Sequence, residues 1–128
     1  MTAGRGERRV GDVSSRPKRY TPNQVVAFNL TRARIDRGWS QPEAAAALEP
    51  FLGVRWSRAS YSAVERSVDG VRIKQFSADE LVAIARCFGR PIGWFLTPPD
   101  GILAATPDHP NGLDTRVLKQ TLRTARAS

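Results

Sequence analysis

The chain contains very little of the two residue types that build disulfides and many metal sites. Among its 128 residues, Cys87 is the only cysteine and His109 the only histidine. A lone cysteine cannot close an internal disulfide, and neither residue has ligand-type neighbours at metal-binding spacing. Cys87 lies among apolar helix positions, which predicts a small buried side chain. We therefore expect no disulfide, no metal ion and no cofactor.

Long hydrophobic runs are also missing. No segment approaches the roughly 20 apolar residues that cross a bilayer, and no apolar run follows the N-terminal arginines as it would in a signal peptide. Residues 1–20 have no amphipathic apolar face for a membrane surface. We therefore expect a cytoplasmic protein that does not bind membranes.

The patterns of common catalytic sites are absent as well. The sequence has no glycine-rich phosphate loop, no Ser-His-Asp arrangement and no paired carboxylates with a plausible base. The single histidine lies in a turn-rich segment. We predict that the protein is not an enzyme, and no small-molecule substrate is evident.

Positive charge is what the chain has in excess. Its 20 Lys and Arg outnumber 12 Asp and Glu, which gives a net charge of +8. Residues 1–20 carry six basic and two acidic side chains among glycines and serines, which predicts a disordered basic arm. Such a balance favours a polyanionic partner, and by itself it leaves nucleic acid and an acidic membrane surface both open.

Serines that follow an aromatic residue mark three helix starts. The three pairs are Trp39-Ser40, Trp56-Ser57 and Phe76-Ser77. A serine hydroxyl caps a helix by accepting from an amide of the first turn, and Glu43 and Glu80 stand where they can complete capping boxes. Prolines and glycines predict the other bounds: a first helix from Pro22 or Asn23 to Arg37, an interruption at Pro50, and a short helix after Pro91.

These patterns give the predicted organisation. Strand signals are absent, so residues 21–99 are expected to form an all-α domain of five helices. The proline- and glycine-containing segment 101–112 predicts a linker, so residues 100–128 are assigned as a linker and a possible C-terminal helix. That helix would place Leu118, Leu122 and Ala125 on one side.

The third helix has an unusual outward face. Tyr61, Val64 and Val68 recur at helical spacing and are predicted to turn into the core. The opposite face is made of small residues and arginines: Arg58, Ala59, Ser62, Ala63 and Arg66. Small residues let a helix approach base edges in the major groove, where arginine and serine donate hydrogen bonds. A helix packed against another helix would also favour Ala and Ser, so the pattern alone leaves both interpretations open.

The second helix carries four consecutive alanines. Ala44 and Ala45, beside the inward Leu48, are expected to let the third helix cross at close range, as a helix-turn-helix junction requires. For Ala46 and Ala47, helix propensity is a sufficient explanation.

The segment GWSQPEAAAALEPFLGVRWSRASYSAVER resembles the helix-turn-helix of the Cro/C1-type (XRE) DNA-binding proteins. The last two helices of that family are similar to the segment FSADELVAIARCFGRPIGWFL, so the resemblance covers about residues 24–97. The general style of the sequence is similar to that of actinobacterial regulators. The resemblance implies a lambda-repressor-like fold and a sequence-specific transcriptional regulator. Such a protein would bind double-stranded DNA as a homodimer and associate with the nucleoid.

The resemblance also assigns roles to individual residues. It places Arg58, Ala59, Ser62 and Ala63 at base edges. Phosphate contacts are expected from Gln41, Ser60, Arg66, Arg72 and Lys74. Arg55, in the turn that departs from the family pattern, is also expected to point toward a phosphate. Arg34 and Glu65 match positions that form an internal ion pair in the family.

One departure concerns the turn between the second and third helices. Ser40 and Glu65 span 26 residues, about six more than is usual in the family. The excess falls in EPFLGVRW and is expected to lengthen the turn, with Phe51, Leu52 and Trp56 packed beneath it. This leaves the angle between the two helices open.

A second hypothesis is a protein-interaction module, such as an antitoxin-like or sigma-factor-binding adaptor. Trp94, Phe95 and Leu96, or the C-terminal segment, are candidates for a dimer surface. Closing the core is the alternative role, and it is preferred for Phe95 and Leu96.

Overall fold

The computed structural model describes residues 18–123, which form six helices and two short strands. The helices are α1 (Pro22–Asp36), α2 (Gln41–Leu52), α3 (Arg58–Arg66), α4 (Ala78–Phe88), α5 (Ile92–Leu96) and α6 (Thr115–Leu122); the strands are β1 (Lys18–Tyr20) and β2 (Ile102–Ala104). The chain is mostly helical, as predicted, and α1 to α5 fall within the predicted range 21–99. Residues 1–17 of the predicted arm lie outside the described residues, as does Ala125.

All three predicted serine caps are present. Ser40, Ser57 and Ser77 each accept a hydrogen bond from the backbone amide three residues later. The carboxylates of Glu43 and Glu80 accept hydrogen bonds from the backbone amides of Ser40 and Ser77 and complete both capping boxes. Because each cap satisfies amides that the helix leaves unpaired, these short local patterns are enough to fix where α2, α3 and α4 begin.

The predicted interruption at Pro50 is wrong. Helix α2 continues to Leu52 and ends at Gly53, whose φ of 80° suits a residue without a Cβ. Pro50 lies in the last turn, so the helix loses one backbone hydrogen bond there. The first four residues of the EPFLGVRW segment therefore belong to α2 and the rest lead to α3.

The apolar residues around this turn behave differently from one another. Leu52 and Trp56 pack against the core, as expected. Phe51 is 38% exposed and does not lie beneath the turn. Its ring instead stacks with the guanidinium of Arg86 on α4, at 5.1 Å.

The prediction that strands are absent is wrong. Strands β1 and β2 pair in parallel, with Lys18 opposite Ile102 and Tyr20 opposite Ala104. Tyr20 and Ala104 are buried, and the Tyr20 ring packs at 6.1 Å from that of Phe28. Residues 18–20, which the sequence assigned to the disordered arm, and 102–104, assigned to a linker, are therefore structured parts of the domain.

The core lies where α1 to α5 converge. Its largest fully buried apolar side chains include Leu30, Leu48, Tyr61, Ile84 and Phe95. Ala44 and Ala45 are buried within the same cluster, which confirms the expected close packing of α2. Phe95 closes the core, as preferred, whereas Leu96, Trp94 and Cys87 are half-buried.

Buried Asn29 ties α5 to α1. Its amide nitrogen donates to the carbonyl oxygens of Trp94, Phe95 and Thr97 at 3.2, 3.0 and 2.9 Å. The first two carbonyls belong to α5 and the third follows the helix directly, so one buried amide holds the end of α5 against α1. Across residues 18–123, no helix has the length and apolar character needed to traverse a membrane.

Candidate nucleic-acid interface

The outward face of α3 is open to solvent. Arg58, Ala59, Ala63 and Arg66 are exposed, and Ser62 is half-buried. The two alanines leave the helix backbone within reach of any surface that approaches this side. The arrangement matches the small-residue face that the sequence predicted.

The inward face of α3 anchors the helix. Tyr61 and Val64 are buried in the core, whereas Val68 lies beyond the end of the helix and is only half-buried. The Tyr61 hydroxyl is buried and has no hydrogen-bond partner among the described residues. Burial raises the pKa of Tyr61 well above its usual value, and the nearby Glu65 carboxylate raises it further, so the hydroxyl is neutral at physiological pH.

A buried ion pair joins α1 to α3, as the resemblance implied. Arg34 Nε and Nη2 donate to the two carboxylate oxygens of Glu65 at 2.7 and 3.1 Å, and Arg34 Nη1 donates to the carbonyl of Trp39 at 2.9 Å. Burial alone would raise the pKa of Glu65, but the hydrogen bonds that it accepts outweigh burial and hold its pKa below the usual value. The bidentate geometry fixes α3 in orientation as well as position.

Gln41 extends this network to α2. Its side-chain Nε2 donates to Glu65 Oε1 at 3.0 Å, so the predicted phosphate contact is already bonded inside the domain. A glutamine amide has two N–H donors, and one is left for another acceptor. Glu65 therefore receives hydrogen bonds from both helices that precede α3.

Two short hydrogen bonds organise polar side chains along α3. Arg66 Nη1 donates to Ser62 Oγ at 2.6 Å, which holds the arginine along the exposed face. Ser57 Oγ donates to Ser60 Oγ at 3.0 Å in the first turn. The first of these bonds brings a predicted base-facing residue, Ser62, into contact with a predicted phosphate contact, Arg66.

Two of the remaining predicted phosphate contacts are exposed. Arg72 lies in the loop after α3. Arg55 lies in the turn before α3 and pairs with Glu49 at 3.0 Å, with 59% of the arginine side chain exposed. An exposed pair of this kind is weak, so Arg55 can exchange its partner at little cost.

Lys74, the last predicted phosphate contact, is half-buried and already paired within the domain. Its ammonium bonds Glu80 at 3.0 Å and lies 5.6 Å and 5.7 Å from the ring centroids of Trp56 and Phe76. Lys74 and Arg72 were predicted to have the same role, but folding brings a carboxylate and two aromatic rings around Lys74. The neighbouring Phe76 was a local signal for this, whereas Trp56 is distant in sequence.

The sequence did not predict the bond from Gln41 to Glu65 or the ordered placement of Arg19. Arg19 Nη1 donates to Asn111 Oδ1 at 3.2 Å beside the strand pair. Both contacts join residues far apart in the sequence, and no local pattern indicates them. Among the described residues, no group of His, Cys, Asp and Glu is arranged to hold a metal ion.

Comparisons with protein-family models, with curated proteins and with solved structures find no match to this chain. The candidate interface therefore depends on its own geometry and on the motif resemblance.

Proposed function

We propose that the protein is a sequence-specific regulator of transcription that inserts α3 into the major groove of duplex DNA. The observation that carries the proposal is the open face of α3, where Ala59 and Ala63 lie between the exposed Arg58 and Arg66. The alanines allow close approach, and Arg58 in the first turn can bond two acceptors on a guanine edge. Ser62 supports this role by holding Arg66 against the helix.

Affinity in this mechanism comes chiefly from the phosphates. Arg66 and Arg72, the second N–H of Gln41 and the hydroxyl of Ser60 are the proposed contacts, and Arg55 joins them by releasing Glu49. Because each neutralised phosphate releases counterions, binding should weaken steeply as salt rises. Lys74 contributes through its contacts with Glu80, Trp56 and Phe76, which hold the segment between α3 and α4.

The proposal includes a lambda-repressor-like arrangement of α1 to α5 and binding as a homodimer. One recognition helix covers only a few base pairs. Two copies would read half-sites separated by about one helical turn, roughly 34 Å.

The decisive experiment selects preferred sequences from a random duplex pool and then measures affinity by fluorescence anisotropy. A palindromic preferred site is expected for the native chain. Arg58→Ala should lower affinity for that site by about 10- to 100-fold, because one bidentate base contact is worth roughly 1–3 kcal/mol. The same variant should leave binding to unrelated duplexes nearly unchanged.

Arg116→Ala is the matched control, because it removes the same charge from a side chain that is 93% exposed on α6. It should leave sequence preference intact. Equal losses for Arg58→Ala and Arg116→Ala would indicate general charge attraction and contradict the proposal. Recovery of no preferred sequence at low salt would do the same.

A second candidate function is a protein-interaction module, and one surface favours it. Half-buried Trp94 is flanked by the guanidinium carbons of Arg32 at 5.2 Å and Arg90 at 4.0 Å from its ring centroid. Tryptophan and arginine are the residues most enriched at interface hot spots. A stoichiometric protein partner lost on Trp94→Ala, together with no selected DNA sequence, would favour this alternative.

A further inference from the structure

A groove of about 630 Å³ lies between α6 and the rest of the domain, and the Leu122 carbonyl at the end of α6 comes close to Gly93 of α5. One wall is formed by Ile102 and Leu103 of β2 with Gly93 of α5, and the facing wall by Leu118 and Leu122 of α6. Cavities that hold small molecules usually span about 300–1,000 Å³ and have mostly apolar linings. This groove meets both criteria.

The apolar side of α6 does not pack closely on the domain. No residue of the helix is buried, and Leu118 and Leu122 are only half-buried. A capping bond from the Arg116 amide to Asp114 and a backbone bond from Leu113 to Ala104 hold the start of α6 in place. The helix is thus anchored beside a gap that its leucines do not fill.

The charged residues of the groove favour an anion. Lys119 and Arg123 line it together with a single carboxylate, that of Asp100. Within residues 18–123, neither cation lies within ion-pair distance of a carboxylate. Lys119 belongs to the helix that supplies the leucine wall and Arg123 directly follows it, so an apolar surface and a cationic edge face the same space.

We propose that this groove binds a small amphipathic carboxylate, with its hydrocarbon chain against Leu103, Leu118 and Leu122 and its carboxylate at Lys119 and Arg123. Charge complementarity argues against a second copy of α6 as the occupant. That helix would bring the same cations against Lys119 and Arg123, and like charges in apposition are unfavourable. The groove lies outside the proposed DNA-binding surface, so carboxylate binding and DNA binding can be tested independently.

The test uses the full chain and three probes with the same ten-carbon chain: decanoate, decan-1-ol and decylamine, each below its aggregation concentration. Binding is measured by titration calorimetry, and leucine methyl NMR locates the probe. Decanoate should bind and shift the methyl signals of Leu103, Leu118 and Leu122. Decanol should bind roughly tenfold more weakly because it lacks two partly screened ion pairs, and decylamine should not bind.

Two variants on the same helix separate the site from general charge attraction. The double change Lys119→Gln/Arg123→Gln should lower decanoate affinity roughly tenfold, again the worth of two exposed ion pairs, and leave decanol unaffected. Arg116→Gln is the control, because Arg116 lies on α6 but does not line the groove. Leu118→Glu should abolish decanoate binding by placing a carboxylate in the groove, with the fold checked by circular dichroism.

Several results would overturn the proposal. The proposal is wrong if decanoate does not bind, or if it binds with the same affinity as decanol. It is also wrong if Arg116→Gln and the double variant lose the same amount of decanoate affinity. Sedimentation showing a dimer that Leu118→Glu dissociates, without decanoate binding, would identify a second copy as the occupant.

Discussion

Removing Glu65 should be among the most destabilising single changes in the domain. Its side chain is 6% exposed and that of its partner Arg34 is 16% exposed, at a separation of 2.7 Å. Glu65→Ala would leave a largely buried guanidinium unpaired, which typically costs 3–5 kcal/mol. Because Arg34 retains some access to solvent, we expect about 3 kcal/mol, at the lower end of that range. For a domain of this size, the loss corresponds to a melting temperature lower by roughly 12–24 °C.

The chain supplies its own control in Glu49 and Arg55. Their separation is 3.0 Å, but 48% of the glutamate side chain and 59% of the arginine side chain are exposed. Glu49→Ala should therefore cost no more than about 1 kcal/mol. Urea denaturation of Glu65→Ala and Glu49→Ala therefore compares two ion pairs of similar length, one largely buried and the other exposed.

A double-mutant cycle completes this test. The double variant Arg34→Ala/Glu65→Ala should lose less unfolding free energy than the two single variants lose together, with a coupling energy of about 2 kcal/mol. If Glu65→Ala is no more costly than Glu49→Ala, or the single effects simply add, the ion pair does not stabilise the packing of α3 on α1.

The same pair should make stability depend on pH. Folding lowers the pKa of Glu65 below its usual value of 4.5. Its contribution is therefore fully present above about pH 4.5 and is lost as the pH falls through the lower folded value. Glu65→Gln should lack this component, so the stability difference between the native chain and the variant should shrink below that pH. A difference that stays constant from pH 7 to pH 3 would contradict the assignment.

Three further predictions test the candidate interface and its support. Ala63→Glu should abolish binding to the selected DNA, because it places a carboxylate on the face proposed to enter the groove. It should shift the melting temperature by less than about 3 °C, since Ala63 is exposed. A large loss of stability would mean that this face of α3 is covered. Lys74→Met should lower the free energy of unfolding by about 0.5–1 kcal/mol, because the ion pair with Glu80 is lost, and should change DNA affinity less than about twofold. A tenfold loss of DNA affinity would indicate that Lys74 contacts a phosphate. Gly53→Ala should lower the free energy of unfolding in urea by about 1 kcal/mol, because a φ of 80° is unfavourable for a residue with a Cβ. No atom lies within 4 Å of the added methyl, so a steric clash does not add to this cost. An unchanged urea midpoint would show that the backbone of the turn relaxes.

The features that the sequence predicted well are local. Ser40 and Glu43 form a complete capping box within four residues, and Ser77 and Glu80 form another, so no distant contact is needed to place α2 and α4. The outward face of α3 also follows from spacing within one helix. These patterns set the helix bounds and the small-residue face before tertiary structure is considered.

What the sequence missed depends on distant partners. Strand β1 has three residues, too few for an alternating pattern, and it forms because residue 18 pairs with residue 102. The contacts of Lys74 with Trp56 and Glu80 form only when residues on either side of it in the sequence pack together. The Arg34–Glu65 pair was predicted only through the family resemblance, since charge counting would assign Arg34 to the DNA.

The parallel pairing of Lys18–Tyr20 with Ile102–Ala104 also bears on how a minimal fragment should be cut. Residues 21–99, the limits that helix patterns suggest, exclude both strands and leave the ring of Phe28 without Tyr20 against it. A shortened protein that keeps these contacts must begin before residue 18 and extend past residue 113, whose amide bonds Ala104 at 2.7 Å. Two strands that contain no part of α3 therefore set the limits of a fragment that keeps these contacts.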